Sequence, residues 1–164
     1  MDKMLYLIRH AKSSWETGLP DIERPLNDRG LRDAPMMARL LAGRGMRPDL
    51  LISSPAARAR ATRAFFAEAF SMPAERLWDD KRLYLAEIED ILDVVREVLE
   101  EYRTIMLFGH NPGFTYFSNL FRKGARIDNL PTCGIVEIAV KGAWADFDRR
   151  SGQVTGDFYP KMFK

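Results

Sequence analysis

Three short apolar runs do most to limit what this chain can become: residues 5–8 (LYLI), 49–53 (DLLIS) and 104–108 (TIMLF). A strand with one wet face alternates apolar and polar residues, and these runs do not. Uninterrupted segments of this length read as strands covered on both faces, although a buried helical segment has the same appearance. Helical patterns lie between them. In residues 87–102, Ile88, Ile91, Leu92, Val95, Leu99 and Tyr102 recur at intervals of three and four, which predicts one amphipathic helix. Residues 56–70 form a second candidate, rich in alanine and arginine, that starts near Ser54 with Pro55 in its first turn. Residues 31–41 form a third, in which Pro35 requires either a later start capped by Asp33 or a kink. A short helix around residues 114–121 precedes two late strands, residues 134–140 (GIVEIAV) and a segment ending in Phe158-Tyr159-Pro160. Strands alternating with helices predict an α/β sandwich with a largely parallel sheet.

Composition narrows the class. The 164 residues suit one domain, residues 1–164, with a core that needs no staples, and no repeat or linker divides them. An excess of two basic residues over acidic ones gives no electrostatic reason to expect nucleic acid. The single cysteine, Cys133, cannot form an internal disulfide, which fits a reducing, cytoplasmic setting. No apolar stretch approaches the roughly 20 residues that span a bilayer, so no membrane partner is expected. The opening MDKMLYLIRH carries early charge and runs into a core-like segment without a small-residue cleavage site, so no secretory leader is expected.

In an open α/β sheet, ligands bind where the strands end. The first predicted strand ends in Arg9-His10, followed by Lys12, Ser13 and Ser14. The second ends in Ser53-Ser54-Pro55, with Arg58 one turn into the next helix, and the third in Gly109-His110-Asn111. Both histidines of the chain therefore fall at one edge of the proposed sheet. Each residue alone has a plain structural explanation: a polar group at a strand end, a solvated arginine in RARATR, an arginine paired with a carboxylate. Their conjunction points to chemistry. A neutral imidazole is nucleophilic near pH 7, since its ordinary pKa is about 6.5, and it can hold a phosphoryl group covalently. The negative charge on the equatorial oxygens requires fixed cationic donors, and the arginine fork supplies them in pairs. Ser54 and the backbone N–H groups that open the Arg58 helix can add to such a cradle. Nothing in the chain has the spacing of a metal motif, so no metal or other cofactor is expected; two histidines sharing a metal is the competing reading.

"LYLIRHAKSSW", "RPLNDRG", "LISSPAARARAT", "LFGHNPG" and "GDFYPKMF" resemble, in order, the SixA-type phosphohistidine phosphatases of the histidine phosphatase superfamily. The resemblance runs from about residue 4 to the C-terminus. It implies the phosphoglycerate mutase-like fold: a three-layer α/β/α sandwich with one antiparallel strand in an otherwise parallel sheet. It also implies that His10 is the phosphorylated nucleophile, with Arg9, Arg58 and His110 completing the phosphate pocket. Ser54, Asn111, Arg24 and Lys12 are candidates to touch substrate, and the site is expected to accept a phosphate or sulfate ion.

Larger members of that superfamily carry a carboxylic acid that protonates the departing oxygen. Here Glu87, in LYLAEIED, is the candidate, although a first-turn carboxylate favoured by the helix dipole is the simpler reading. Asp21 and Asp28, which flank Arg24, read as loop and cap residues. A site without a dedicated acid loses more on phosphate esters than on phosphoramidates. An alkoxide is a base comparable to hydroxide, whose conjugate acid has a pKa of about 15.7, whereas imidazole is far weaker at about 6.5. The expected activity is therefore a metal-independent phosphatase acting on phosphohistidine in a protein partner. The alternatives are a phosphatase for small phosphate esters and a phosphate-binding module without turnover.

Overall fold

The computed structural model describes residues 3–164. Its frame is one six-stranded sheet in the order β3-β2-β4-β1-β5-β6. The strands are β1 (Lys3–Arg9), β2 (Leu50–Ser53), β3 (Leu77–Asp79), β4 (Thr104–Gly109), β5 (Ile135–Val140) and β6 (Gly152–Phe158). β1, β2, β3 and β4 pair in parallel, β5 lies antiparallel to β1, and β6 lies antiparallel to β5. β5 is thus the single reversed strand.

The apolar runs are continuous because the side chains of each strand alternate between two cores. Leu5 and Leu7 of β1, with Leu50, Ile52, Ile105 and Leu107, meet helices α3 (Ile88–Arg96) and α4 (Gly113–Asn119) through Ile91, Val95, Phe114 and Phe117. Tyr6 and Ile8, with Leu51, Met106 and Phe108, meet α1 (Asp28–Ala42) and α2 (Ala57–Ala69) through Met37, Ala38, Leu41 and Phe66. A strand buried on both faces has no position left for a polar residue until it ends.

The crossovers set the site. The chain leaves β1 through α1 to β2 and through α2 to β3, with both helices on one face. It then returns through α3, on the other face, to β4, which lies between β2 and β1. This reversal puts the ends of β1, β2 and β4 side by side at a topological switch point, where the flanking loops part and leave a crevice.

Several boundaries differ from the sequence reading. α1 begins at Asp28, capped by Asn27, whose side chain accepts from the Gly30 N–H at 2.9 Å, and it runs on through Pro35. Asp33 is a buried residue of that helix rather than its cap. α2 begins at Ala57, so Pro55 precedes the helix. α3 stops at Arg96, far short of Tyr102: Val98 turns into the core, Leu99 is exposed, and Glu100 is engaged by Lys3 and by the Trp144 N–H. The short edge strand β3 had no sequence signal. Its three residues follow a turn and are only half covered.

Candidate active site

The backbone places both histidines before any side chain acts. The His10 N–H donates to the Gly109 carbonyl at 3.0 Å, and the Ser54 N–H donates to the Phe108 carbonyl at 2.9 Å. Arg9 pairs with Gly109 in the β1–β4 register, so His10 and His110 leave adjacent strands together. Their ring centroids are 5.2 Å apart. The loop after β1 is pinned on two sides. The Ala11 N–H donates to the Thr62 hydroxyl at 2.9 Å, and that hydroxyl donates to the Arg58 carbonyl at 2.8 Å. Arg58 and Thr62 lie one turn apart on α2, which gives the threonine of the ARAT segment a structural task. On the other side, α1 presses against the Lys12 carbonyl. The Asn27 N–H donates to it at 3.0 Å, and a Cβ at Gly30 would stand 2.1 Å from it. Glycine is required at that approach.

The result is a cleft of about 320 Å³ lined by Arg9, His10, Lys12, Asp21, Arg24, Arg58, His110 and Asn111, with Trp15 and Leu85 at its exposed mouth. His10 Nδ1 lies 2.7 Å from the Ala11 carbonyl. A carbonyl only accepts, so Nδ1 carries the proton and Nε2 keeps its lone pair. The Arg58 Nε–H points at that lone pair from 3.4 Å. Burial is the main cause that pushes His10 down to about 3, with Arg58, Arg9 and Arg24 acting in the same direction. His110 is likewise pushed down to about 3, first by burial and then by His10 and Arg58. Both rings are neutral at pH 7.

His110 Nε2 meets the Ser54 hydroxyl at 2.7 Å, while its Nδ1 is buried without a partner among the described residues. The Arg9 Nε is in the same condition, although Arg9 Nη1 donates to the Leu130 carbonyl at 2.9 Å. Unpaired buried polar atoms are costly. Two of them in one cationic cleft fit an anion with several oxygens.

The sequence-predicted residues divide into three groups. His10, Arg9, Arg58, His110, Asn111, Arg24 and Lys12 line the cleft together. Ser54 is fully buried behind His110, which it orients. Glu87 is exposed, donates its N–H to Asp90 at the start of α3, and lines the neighbouring groove beside Pro112 and Tyr116 rather than this cleft. Its structural reading is the one the geometry favours. Asn111 is held at the rim by Asn129 and the Leu130 carbonyl.

Asp21 is the residue that sequence reasoning passed over. It opens a 3-10 turn, Asp21–Glu23, and its carboxylate gathers three donors. Arg24 Nε reaches Oδ1 at 3.0 Å, while Arg58 Nη2 at 3.0 Å and the Tyr84 hydroxyl at 2.5 Å reach Oδ2. Arg58 Nη1 also donates to the Asp21 carbonyl at 2.7 Å. The Tyr84 hydrogen bond, then Arg24 and Arg58, hold Asp21 well below the usual carboxylate range. Tyr84 in turn sets its ring edge-on to His110, with centroids 5.4 Å apart. The one available signal was the placement of Asp21 three residues before Arg24.

Comparison with known proteins agrees with this geometry. An uncharacterized chloroplastic protein of Arabidopsis thaliana is 30% identical over 162 residues, which cover 93% of this chain and 73% of that protein. A structure from Agrobacterium tumefaciens that carries the name SixA is 28% identical, with a TM-score of 0.80 over 98% of this chain and 99% of that one. Another so named, from Nakamurella, shares the fold at 24% identity, with a TM-score of 0.86 over 98% and 97% of the two chains. Residues 5–89, more than half of the chain, match the model of the histidine phosphatase superfamily (branch 1). With that match, and with His10 and His110 side by side at the carboxyl ends of β1 and β4, the chain belongs to branch 1 of the histidine phosphatase superfamily.

Proposed function

We propose that this phosphatase removes the phosphoryl group of a phosphohistidine on a protein partner, by way of a covalent phosphohistidine at His10 and without a metal ion. The observation that carries the reading is the fixed tautomer of His10, with its proton held on the Ala11 carbonyl and its Nε2 lone pair met only by the long 3.4 Å contact from Arg58 Nε in a cleft of cationic donors. In the first step that lone pair forms a bond to phosphorus, and the substrate's P–N bond breaks with its electron pair going to the departing imidazole. Arg9, Arg58 and His110 hold the equatorial oxygens, with Lys12 and Asn111 at the edge of the same cleft. In the second step water adds to phosphorus, the pair returns to Nε2, and both of the water's protons stay with the released phosphate, which leaves as H2PO4−. The Nδ1 proton, retained throughout, lets His10 depart as a neutral ring.

Two further observations support the substrate class. The cleft offers no protonated carboxylic acid: Asp21 is held anionic and Glu87 lies outside. Departing imidazole needs no such donor, whereas an alkoxide does. The mouth also exposes Trp15 and Leu85, at 74% and 58%, and a protein surface can cover both. Among the described residues no cluster of three metal-ligating side chains occurs. The buried thiol of Cys133 suits a reducing, cytoplasmic setting.

The test is to treat the enzyme with labelled phosphoramidate, quench rapidly and locate acid-labile phosphate. Label at His10, lost together with turnover in His10→Ala, is expected. A His10→Ala protein that turns over at the original rate would reject the mechanism. Preference for sugar phosphates over a phosphohistidine peptide by orders of magnitude would replace the substrate class.

A further inference from the structure

The depth of each group in the cleft decides which of them the leaving group meets. Attack in line from His10 Nε2 puts the departing nitrogen on the far side of phosphorus, away from His10 and toward the mouth. His10, Arg58 and His110 form the floor at 6%, 3% and 3% exposure, whereas the Asp21 side chain, at 42%, stands at the mouth. The charged and titratable groups that line the cleft are Arg9 and His10 at the end of β1, Lys12 after it, Arg24, Arg58 of α2, and His110 after β4, with Tyr84 behind Asp21. Among these described residues Asp21 is the one carboxylate. Its two oxygens offer about four acceptor positions. Arg24 takes one on Oδ1, and Arg58 and Tyr84 take two on Oδ2, which leaves one position on Oδ1.

A phosphorylated imidazole can leave in two forms. With a proton on its distal nitrogen it departs as neutral imidazole; without one it departs as an anion and therefore slowly. The proton must be on the substrate's ring before the P–N bond breaks. We propose that Asp21 determines leaving-group specificity: its carboxylate, at the mouth of the cleft, keeps the distal ring nitrogen of the bound phosphoimidazole protonated and disfavours leaving groups that carry negative charge. The inference rests on the phosphohistidine reading above and deepens it. The step balances without a proton from the enzyme. The His10 Nε2 lone pair makes the new N–P bond, the old P–N pair stays on the leaving ring, and the distal proton departs with that ring. Asp21 neither gives nor takes a proton, in keeping with a carboxylate held well below its usual range by Tyr84 and the two arginines. The same carboxylate also fixes the Arg58 fork, so the test must separate specificity from positioning.

The experiment compares wild type with Asp21→Asn, which keeps the size and one acceptor oxygen. It measures kcat/KM for a phosphohistidine peptide and for p-nitrophenyl phosphate, whose leaving group needs no proton. The ratio of the two is expected to fall about tenfold or more, and the alkaline limb of the peptide's pH profile to move to lower pH. An equal proportional loss on both substrates, with an unmoved profile, would reduce Asp21 to a support for Arg58 and overturn the proposal. Should Asp21→Asn fail to fold, wild type can be assayed on N-phosphorylated imidazoles of graded ring pKa. A ring pKa raised in the complex above its free value supports the proposal, and an equal or lowered one overturns it. Labelling of wild-type His10 by phosphoramidate is scored separately. Its absence would reject the nucleophile whatever Asp21 does.

Discussion

The floor and the mouth of the cleft are built by different physics. The floor is made of strand ends. His10, Ser54 and His110 are placed by sheet hydrogen bonds at 2.9–3.0 Å and by a register that pairs Arg9 with Gly109. The mouth is made of loops. Trp15 lies with the Arg24 guanidinium 3.5 Å over its ring, and Asp21 ties that loop to Arg58 and Tyr84 through the side chains of those two residues, which reach its carboxylate and, from Arg58, its carbonyl. Backbone placement holds His10 and His110 to fixed positions, whereas side-chain pairs in partly exposed turns are weaker and open more readily. Under the proposed mechanism, this contrast places chemistry on the sheet and substrate choice on the loops.

Four measurements can break or sharpen that division. The largest effect belongs to the floor. Arg58→Lys replaces a fork with a point charge and should lower kcat/KM by roughly 10²-fold. The same change at Arg24, whose partners Ser13, Ser14 and Asp21 belong to its own loop, should cost less. Equal losses would erase the distinction. Next is Gly30→Ala, whose Cβ would press on the Lys12 backbone. It should cost about 1–3 kcal/mol in denaturant unfolding and lower activity by shifting the loop after His10.

The third measurement follows stability with pH. Both imidazoles are pushed down to about 3 in the fold, against about 6.5 in the unfolded chain. Between those values the unfolded state binds more protons, so stability is complete above about 6.5 and falls as pH is lowered toward 3. Urea midpoints across this window should show the slope, and His110→Gln should flatten it. The smallest effect lies at the mouth. Trp15→Ala removes an exposed ring and should raise KM for a phosphoprotein by about 0.5–1 kcal/mol, or roughly two- to fivefold. An equal rise for p-nitrophenyl phosphate would mean that Trp15 serves Arg24 instead of the partner.

Much of the floor was legible because burial on both faces writes an unbroken apolar run, and the polar residue that ends it marks the edge of the sheet. That logic located His10, Ser54 and His110, and α2 carried Arg58 to the same edge. Helix ends were less legible. Nothing local stops α3 at Arg96; the stop comes from Val98 entering the core and from Lys3 and Trp144 engaging Glu100, partners 97 and 44 positions away. Pro35 was read as a break or a kink, yet α1 runs through it, because the packing of Ala34, Met37, Ala38 and Leu41 outweighs one lost hydrogen bond.

The order of residues along the chain determined the α/β class, the strand exits and the histidine that stands at the first of them, since hydrophobic periodicity reports burial directly. Tertiary structure alone decided that Asp21, 37 positions before Arg58 and 63 before Tyr84, would join them. Such pairing between irregular loops follows no period. It exists only once the crossovers have brought separate turns to one end of the sheet.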